Sequence, residues 1–308
     1  MQQKYENKTY ICCFTFTAMK RLAPSELMVN DDGSIFHLHL KPEQLADTVI
    51  LTGDPARVAQ VSRFFHTIEC NVQSREFVSV TGSYKGERMT ALSTGIGTDN
   101  IDIVINELDA LANIDLTTRT ILPNHRTLRI IRLGTSGAVQ PDIPIGTLLR
   151  SKISIGFDGL INWYANRDHV SLLDYEHAFV HHMEWSERLP APYFVPNSPQ
   201  LLHLFEPISI SGMTISAPGF YAPQGRVLRL ELQDPHLLTK IESFNYNQDR
   251  ICNFEMEGSA IAGLSALLGH QAVTVCLIIA NRHLLQGNPS YLSQMEGAIE
   301  SVLERLIL

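Results

Sequence analysis

From about residue 47 onward, short runs of strand-forming residues stop at glycine and give way to helix-like segments. Residues 48–52 form such a run and stop at Gly53, and residues 128–133 form another that stops at Gly134. Between them, apolar residues recur at helical spacing over residues 101–111. Continuous apolar runs that alternate with helices are typical of strands buried on both faces of a sheet. The sequence therefore predicts an α/β fold with a mainly parallel or mixed central sheet.

The pattern continues without a linker rich in proline, glycine or serine and without an internal repeat, so we expect a single domain over residues 19–308. Residues 1–18 are expected to be an unstructured extension, or to precede a translation start at Met19. The competing interpretation is a weak signal-peptide core at residues 10–18. An acidic Glu6 before this stretch and a basic Lys20-Arg21 pair after it argue against a signal peptide.

Charge and cysteine content limit the function classes. The chain has 24 basic and 32 acidic side chains, a net charge of −8, which argues against general nucleic-acid binding because neutralising phosphates needs a basic surface. A small anionic substrate needs only a few well-placed arginines and stays possible. No apolar run approaches the about 20 residues of a membrane span. Five cysteines, an odd number, indicate reduced thiols and a cytoplasmic protein rather than a disulfide framework.

Ligands of α/β folds bind beyond the carboxyl ends of strands, so the residues after each strand are the candidate site residues. The first such segment is Gly53-Asp54-Pro55-Ala56-Arg57, where a helix start offers free N–H groups to an anion and Arg57 adds a forked donor. The alternative is an ordinary strand-to-helix turn with Asp54 as cap and Pro55 at the first helical position. A second segment, residues 93–100, has two glycines before a helix but not the spacing of a phosphate-binding P-loop.

The third segment places Arg132 inside a buried strand, just before Gly134-Thr135-Ser136-Gly137. A buried arginine is costly unless it is paired or faces a ligand, so it indicates either an anion site or a structural ion pair. The fourth segment ends a strand with two carboxylates, Glu255 and Glu257, whose side chains we expect to point in opposite directions. A carboxylate at such a strand end is suited to accept hydrogen bonds from both hydroxyls of a ribose, and the alternative is a pair of glutamates that stabilise a helix start.

Taken together and in this order, the four segments resemble the uridine phosphorylase branch of the nucleoside phosphorylase-I superfamily, from about Phe36 to Leu308. The resemblance implies a single-domain three-layer sandwich with a central mixed β-sheet flanked by helices. It also implies a phosphate site and a ribose site, each completed by a residue from a neighbouring subunit. The implied phosphate ligands are Gly53, Arg57, Arg132, Thr135 and the neighbour's Arg75, and the implied ribose ligands are Met256, Glu257 and the neighbour's His37.

The base site implied by the resemblance lies in Gly219–Arg226, with Gly137 beside it. Gln224 can both donate to and accept from the uracil edge, Arg226 can donate to a uracil oxygen, and Phe220 would stack on the ring. Purine-specific members carry an aspartate after the late strand, whereas this chain reads Ile-Ala-Asn-Arg over residues 279–282. The missing carboxylate favours a pyrimidine base. Two departures from the family pattern are Gly258 after the ribose glutamate and Asp99-Asn100 after the glycine turn.

The implied function is reversible phosphorolysis of uridine to uracil and ribose 1-phosphate in pyrimidine salvage, with deoxyuridine as a further candidate substrate. The implied catalytic residues are Arg132, Arg226 and Gln224. Alternatives are a purine nucleoside phosphorylase, a nucleosidase, or a non-catalytic nucleoside-binding protein. No cofactor is expected beyond phosphate as co-substrate. The resemblance implies homodimers that build a hexamer, with a potassium ion in some relatives near the positions of Glu76 and Ser93. The stretch His181-His182-Met183-Glu184 is expected to be a surface helix rather than a metal site.

Overall fold

The computed structural model describes residues 21–308, so the predictions for the amino-terminal extension, its signal-peptide alternative and the start at Met19 lie outside the described residues. The described part contains seven α-helices: α1 Pro55–Ser62, α2 Thr98–Asn113, α3 Leu173–Met183, α4 Pro199–Phe205, α5 Leu237–Ser243, α6 Gly258–Leu267 and α7 Leu292–Leu306. The strands before α3 are β1 Thr48–Thr52, β2 Thr67–Ser74, β3 Phe77–Tyr84, β4 Glu87–Ser93, β5 Ile114–Asp115, β6 Thr120–Ile121, β7 Arg129–Ala138 and β8 Leu148–Gly156. The later strands are β9 Tyr193–Pro196, β10 Ile210–Ser216, β11 Asn245–Tyr246, β12 Asp249–Glu255, β13 Gln271–Asn281 and β14 Gln286–Gly287.

One mixed sheet organises the fold. Its strands follow the order β11-β12-β10-β8-β13-β7-β1-β4-β3-β2, with β9 beside β8 and β14 beside β13. Strand β1 lies at its centre, is buried along its whole length, and pairs in parallel with both β4 and β7. Strands β3 and β4 form an antiparallel hairpin, with Ser79 opposite Leu92 and Tyr84 opposite Glu87. The prediction of a central mixed sheet is therefore confirmed.

Helices cover both faces of this sheet. Successive residues of the central strand point to opposite sides, so they contribute to separate cores on the two faces. Val49 and Leu51 face a core formed with α2 and α6, whereas Ile50 faces a second core formed with α1, α4 and α7. A third core, rich in phenylalanine, packs α3 and α5 against β9–β12. The predicted three-layer arrangement is thus the observed one.

The sheet also closes on itself, which the sequence did not predict. Strand β12 pairs antiparallel with the end of β7, so that β7, β13, β8, β10 and β12 form a closed ring. Asn253, fully buried in β12, links the ring with its side chain: Nδ2 donates to Ser136 Oγ at 2.9 Å and Oδ1 accepts from Thr214 Oγ1 at 2.8 Å. This closure carries the end of β12 back across β7, toward the carboxyl end of β1.

Replacing the closing amide is expected to destabilise the fold. Asn253→Ala removes two buried hydrogen bonds and leaves hydroxyl partners unsatisfied, which costs about 2–4 kcal/mol. Urea unfolding followed by circular dichroism measures the loss, and Asn245→Ala on exposed β11 is the matched control, with a change below about 0.5 kcal/mol. Equal stability of the two variants would show that the ring does not depend on this residue.

Candidate functional site

A cavity of about 600 Å³ lies where the carboxyl ends of β1, β7, β12 and β13 meet. Its size falls within the range of small-molecule sites. Ten residues singled out from the sequence line it: Gly53, Arg57, Arg132, Thr135, Gly137, Phe220, Gln224, Arg226, Met256 and Glu257. The segments that were separate in sequence therefore share one pocket.

Arg57 gives one end of the cavity a positive charge. Asp54 caps α1 by accepting from the backbone N–H of Ala56 at 2.8 Å, and Pro55 opens the helix. The cap and the proline explain why the chain turns into a helix here. They do not explain why Arg57 is buried, with only 6% of the residue exposed. Within residues 21–308 its guanidinium makes no hydrogen bond or ion pair. A buried cation without a partner is unfavourable, so this position is suited to an anionic ligand.

Arg132 lies in a buried ion cluster in the wall of the same cavity. Its Nε is 3.2 Å from Glu255 Oε2, its Nη2 donates to Glu257 Oε2, and its Nη1 donates to Cys276 Sγ at 3.4 Å. Burial alone would lower the pKa of Arg132, but the two carboxylates outweigh it and raise the pKa above its usual value. Arg132 therefore stays charged. The sequence indicated either an anion site or a structural ion pair for this arginine. The structure shows the ion pair, and the Arg132 side chain also lines the cavity.

The glycine after this arginine is required by packing. The Arg132 side chain folds back over Gly134, so that a Cβ built on Gly134 would lie 1.9 Å from Nη1. A larger residue at position 134 would displace the guanidinium from both carboxylates. A glycine two residues after Arg132 in the sequence is thus explained by the close approach of the arginine side chain to the backbone at Gly134.

The expectation that Glu255 and Glu257 point in opposite directions is wrong. Both carboxylates contact the same guanidinium. The reason is that β12 ends at Glu255, and the chain turns at Glu257 (φ −138°, ψ −26°) to begin α6, so the alternation of a strand no longer applies.

The glycine turn before α2 holds Glu257 in place. The backbone N–H of Gly97 donates to Glu257 Oε1 at 2.8 Å. Gly97 adopts φ +103°, a conformation that favours glycine and here directs its N–H toward the carboxylate. The turn therefore acts on the carboxylate rather than as a phosphate-binding loop of its own.

Gln224, Arg226 and Phe220 form another part of the cavity wall. Arg226 Nη1 donates to Gln224 Oε1 at 2.5 Å and to the carbonyl of Phe220 at 2.6 Å. Burial, followed by the charge of nearby Arg282, lowers the pKa of Arg226 to about 10. The guanidinium lies 3.8 Å from the centre of the Phe220 ring, so cation–π attraction places Arg226 over a face that was expected to stack on a base.

Arg282 supports this part of the wall and was not singled out as a site residue. It follows β13 and donates from Nη1 to the carbonyl of Gln224 at 2.9 Å and from Nη2 to that of Gly225 at 3.3 Å. In β13 a register shift between Ile278 and Ala280 directs Ile279 toward the cavity. A charged residue directly after a buried strand was the available signal for Arg282.

Comparison with known proteins supports a family assignment. The sequence profile described as "Phosphorylase superfamily" matches residues 47–306. The chain belongs to this superfamily. It is 29% identical over 270 residues to a uridine phosphorylase of Thermococcus kodakarensis, covering 86% of this chain and 83% of that protein. It is 28% identical over 257 residues to a uridine phosphorylase of Haemophilus influenzae, covering 80% and 86% respectively.

A solved structure of the superfamily superimposes closely. The Trypanosoma brucei nucleoside phosphorylase, whose crystal structure shows uridine phosphorylase activity, matches with a TM-score of 0.83 at 28% identity. The match covers 91% of this chain and 99% of that one. It establishes the same arrangement of layers and strands across the domain.

Two residues implied by the superfamily resemblance do not line the cavity of their own chain. Arg75 lies exposed in the β2–β3 turn, 5.8 Å from the ring of Phe36. His37 is half-buried, and its Nδ1 is 2.6 Å from a carboxylate oxygen of Glu107 on α2. Their location outside the cavity is what an exchange between subunits requires.

The implied potassium site fits the described residues poorly. Ser93 Oγ, fully buried, donates to the carbonyl of Glu76 at 2.8 Å and accepts from the N–H of Val78 at 2.7 Å. The Glu76 side chain is exposed. A cation here would need further oxygen ligands from outside this chain, and no chemical step is assigned to it.

Asp109, His125 and His270 come together on the far side of α2, but their hydrogen bonds disfavour a metal. His270 Nδ1 accepts from the backbone N–H of Leu128 at 3.2 Å, which leaves the proton on Nε2, facing Asp109 at 3.1 Å. A metal-bound histidine needs the opposite tautomer, with its free nitrogen toward the ion. The cluster therefore joins α2, residues 117–127 and the start of β13. His181 and His182 lie in α3, as expected for that stretch.

Two further predictions from the sequence concern membrane-spanning segments and the state of the cysteines. Every helix within residues 21–308 is too short or too polar to span a bilayer. Cys70, Cys252 and Cys276 are free thiols, and burial raises the pKa of Cys276 to about 12.

Proposed function

We propose that this protein catalyses the reversible phosphorolysis of uridine, and more slowly of 2′-deoxyuridine, in cytoplasmic pyrimidine salvage. The observation that carries the proposal is that one cavity is lined by three kinds of group. These are Arg57, which is buried without a partner, the contact of Arg132 with the carboxylate of Glu257, and the Gln224–Arg226 pair. Phosphate, ribose and a uracil base match these groups in that order.

The chemistry follows from where charge develops. Phosphate attacks the anomeric carbon of the nucleoside while the bond from that carbon to the uracil nitrogen breaks. Arg57 and Arg132 hold the phosphate by fixed charges, which supplies proximity without a protein nucleophile. The electron pair of the broken bond moves onto uracil, where Arg226 and Gln224 donate hydrogen bonds to the developing negative charge. Glu257 accepts from the ribose hydroxyls and favours the positive charge that grows on the sugar.

The base end supports a pyrimidine. Arg282, in the part of the chain where purine-specific members carry an aspartate, directs its donors to the carbonyls of Gln224 and Gly225. A guanidinium cannot protonate a purine nitrogen as a carboxylic acid can. The reaction therefore depends on stabilising a leaving uracil anion, and phosphate is the sole co-reactant.

We further propose that the working form is a homodimer, repeated to a hexamer, in which Arg75 and His37 complete the site of a second copy. The support is electrostatic. Arg132 already faces two carboxylates, so Arg57 alone provides uncompensated positive charge in this end of the cavity. A phosphate dianion needs more, and Arg75 is an exposed arginine on the same chain that could supply it.

Substrate turnover tests the reaction. Purified protein is expected to release uracil from uridine only when phosphate is added, with ribose 1-phosphate as the second product by ³¹P NMR. Inosine and 5′-methylthioadenosine should react at least about 100-fold more slowly, because a polar base site leaves its groups unpaired with the wrong base. Uracil release without phosphate would indicate a nucleosidase, faster inosine turnover a purine phosphorylase, and uridine binding without turnover a non-catalytic protein. Each of these results contradicts the proposal.

Arg57 is the cleanest variant for the phosphate site, because its removal leaves no carboxylate unpaired. Arg57→Ala is expected to lower kcat/KM for phosphate about 100-fold with an unchanged melting temperature. Arg63→Ala, an exposed arginine at the end of the same helix, is the control and should stay within about 2-fold of the wild type. Normal phosphate kinetics in Arg57→Ala would remove this residue from the site.

Subunit mixing tests the exchange of Arg75. Arg75→Ala and Arg57→Ala proteins should each be nearly inactive, but a co-expressed mixture is expected to recover about a quarter of wild-type activity. Half of randomly formed dimers are hybrids, and each hybrid has one site with both arginines intact. A mixture no more active than its components would contradict the exchange of Arg75 between subunits.

A further inference from the structure

Glu255 is a buried carboxylate to which the proposed reaction assigns no role, although the sequence left open that it stabilises the start of a helix. Its side chain is fully buried at the end of β12. It accepts hydrogen bonds from the backbone N–H groups of Glu257 at 2.9 Å and Gly258 at 2.8 Å, from the hydroxyl of Ser216, and it contacts Arg132 Nε at 3.2 Å. Burying a charge with this many partners indicates a specific function for it.

All of these partners are donors, so the side chain must act as an acceptor at every contact. Burial raises the pKa of Glu255, and the charge of Arg132 opposes the shift. The contacts themselves favour the ionised form, because a carboxylic acid proton would face N–H groups. The neutral amide of glutamine would have the same difficulty, since its NH₂ group must point at a donor whichever way it is turned.

The contacts of Glu255 join the two halves of the proposed site. One set of bonds fixes the backbone at Glu257, whose carboxylate lies in the ribose part. The other fixes the Nε edge of Arg132, whose Nη2 donates to Glu257 and whose side chain lines the cavity. Ser216 extends the link to α6, because its Oγ also accepts from the N–H of Ser259 at 2.7 Å. A shift of Glu255 would therefore move the phosphate arginine and the ribose carboxylate relative to each other.

We infer that Glu255 is a positioning residue that holds Arg132 and Glu257 at the separation needed for attack of phosphate on the sugar. The inference rests on the proposed function. Glu255 borders the cavity, but all of its contacts are made with donors of the protein, so the inference assigns it a role through these contacts rather than through substrate. It acts through Arg132, whose guanidinium it holds in place. Glu257 then exchanges part of its hydrogen bonding within the protein for hydrogen bonds to the ribose.

The test compares Glu255→Gln and Glu255→Asp with Glu176→Gln. Glu176 is a matched control, because it is also a buried glutamate paired with an arginine, Arg167, but lies on α3 away from the cavity. Steady-state kinetics with phosphate and uridine varied separately, melting temperatures, and calorimetric titration with inorganic phosphate are measured for each protein.

Glu255→Gln is expected to raise the KM for phosphate about 10-fold and to lower kcat about 100-fold, as expected for a misplaced catalytic group. Glu255→Asp, which keeps the charge on a shorter chain, should recover part of both losses. Glu176→Gln should lower the melting temperature as much but keep both KM values and kcat within about 2-fold. A purely structural role for Glu255 predicts unchanged KM values and a kcat reduced only in proportion to the folded fraction, and that result overturns the inference.

Phosphate titration separates this inference from the proposed function. If the wild type binds phosphate but does not convert uridine, the function is wrong, and the inference then requires a weaker phosphate affinity in Glu255→Gln. Equal affinities would overturn it. A wild type that binds no phosphate would overturn both.

Discussion

The buried contact of Arg132 with Glu255 and Glu257 joins β7 to β12 and to the start of α6. Three charges removed from water are stable only when each is paired and hydrogen-bonded, so the surrounding backbone is arranged to supply partners. Gly134 makes room for the guanidinium, Gly97 donates to one carboxylate, and the first residues of α6 donate to the other. The closed ring of strands is what brings β12 close enough to β7 for this contact to form.

The same cluster determines how the cavity handles an anion. Because two carboxylates balance the charge of Arg132, this arginine mainly supplies hydrogen-bond donors in a fixed direction. The net positive charge in that part of the cavity comes from Arg57. For the proposed function, this division gives an acidic chain, with a net charge of −8, a local positive charge suited to a small anion. It also makes a second copy chemically useful, since an arginine from outside the chain would raise the local charge without adding another buried ion to the fold.

Much of this arrangement could be predicted from the sequence, because it depends on local pattern. The run at residues 48–52 matches β1, and the residues after the strands lie together since parallel strands end at one edge. The direction of Glu255 could not be predicted, because it depends on where β12 ends and on ring closure by residues far apart in the chain. The contact of Cys276 with Arg132 could not be predicted either, because it depends on the register between β13 and β7. The position of Arg282 after a buried strand was a signal, but its contact with the Gln224 carbonyl depends on a loop far away in the chain.

The most direct measurement is a crystal structure of the protein with phosphate and uracil. The account predicts an anion within hydrogen-bond distance of Arg57 and Arg132, with Arg75 of a second copy beside it. Uracil should lie against Gln224 and Arg226, on the far side of Glu257 from the anion. An anion bound elsewhere, or Arg57 directed away from it, would contradict the assignment of the cavity.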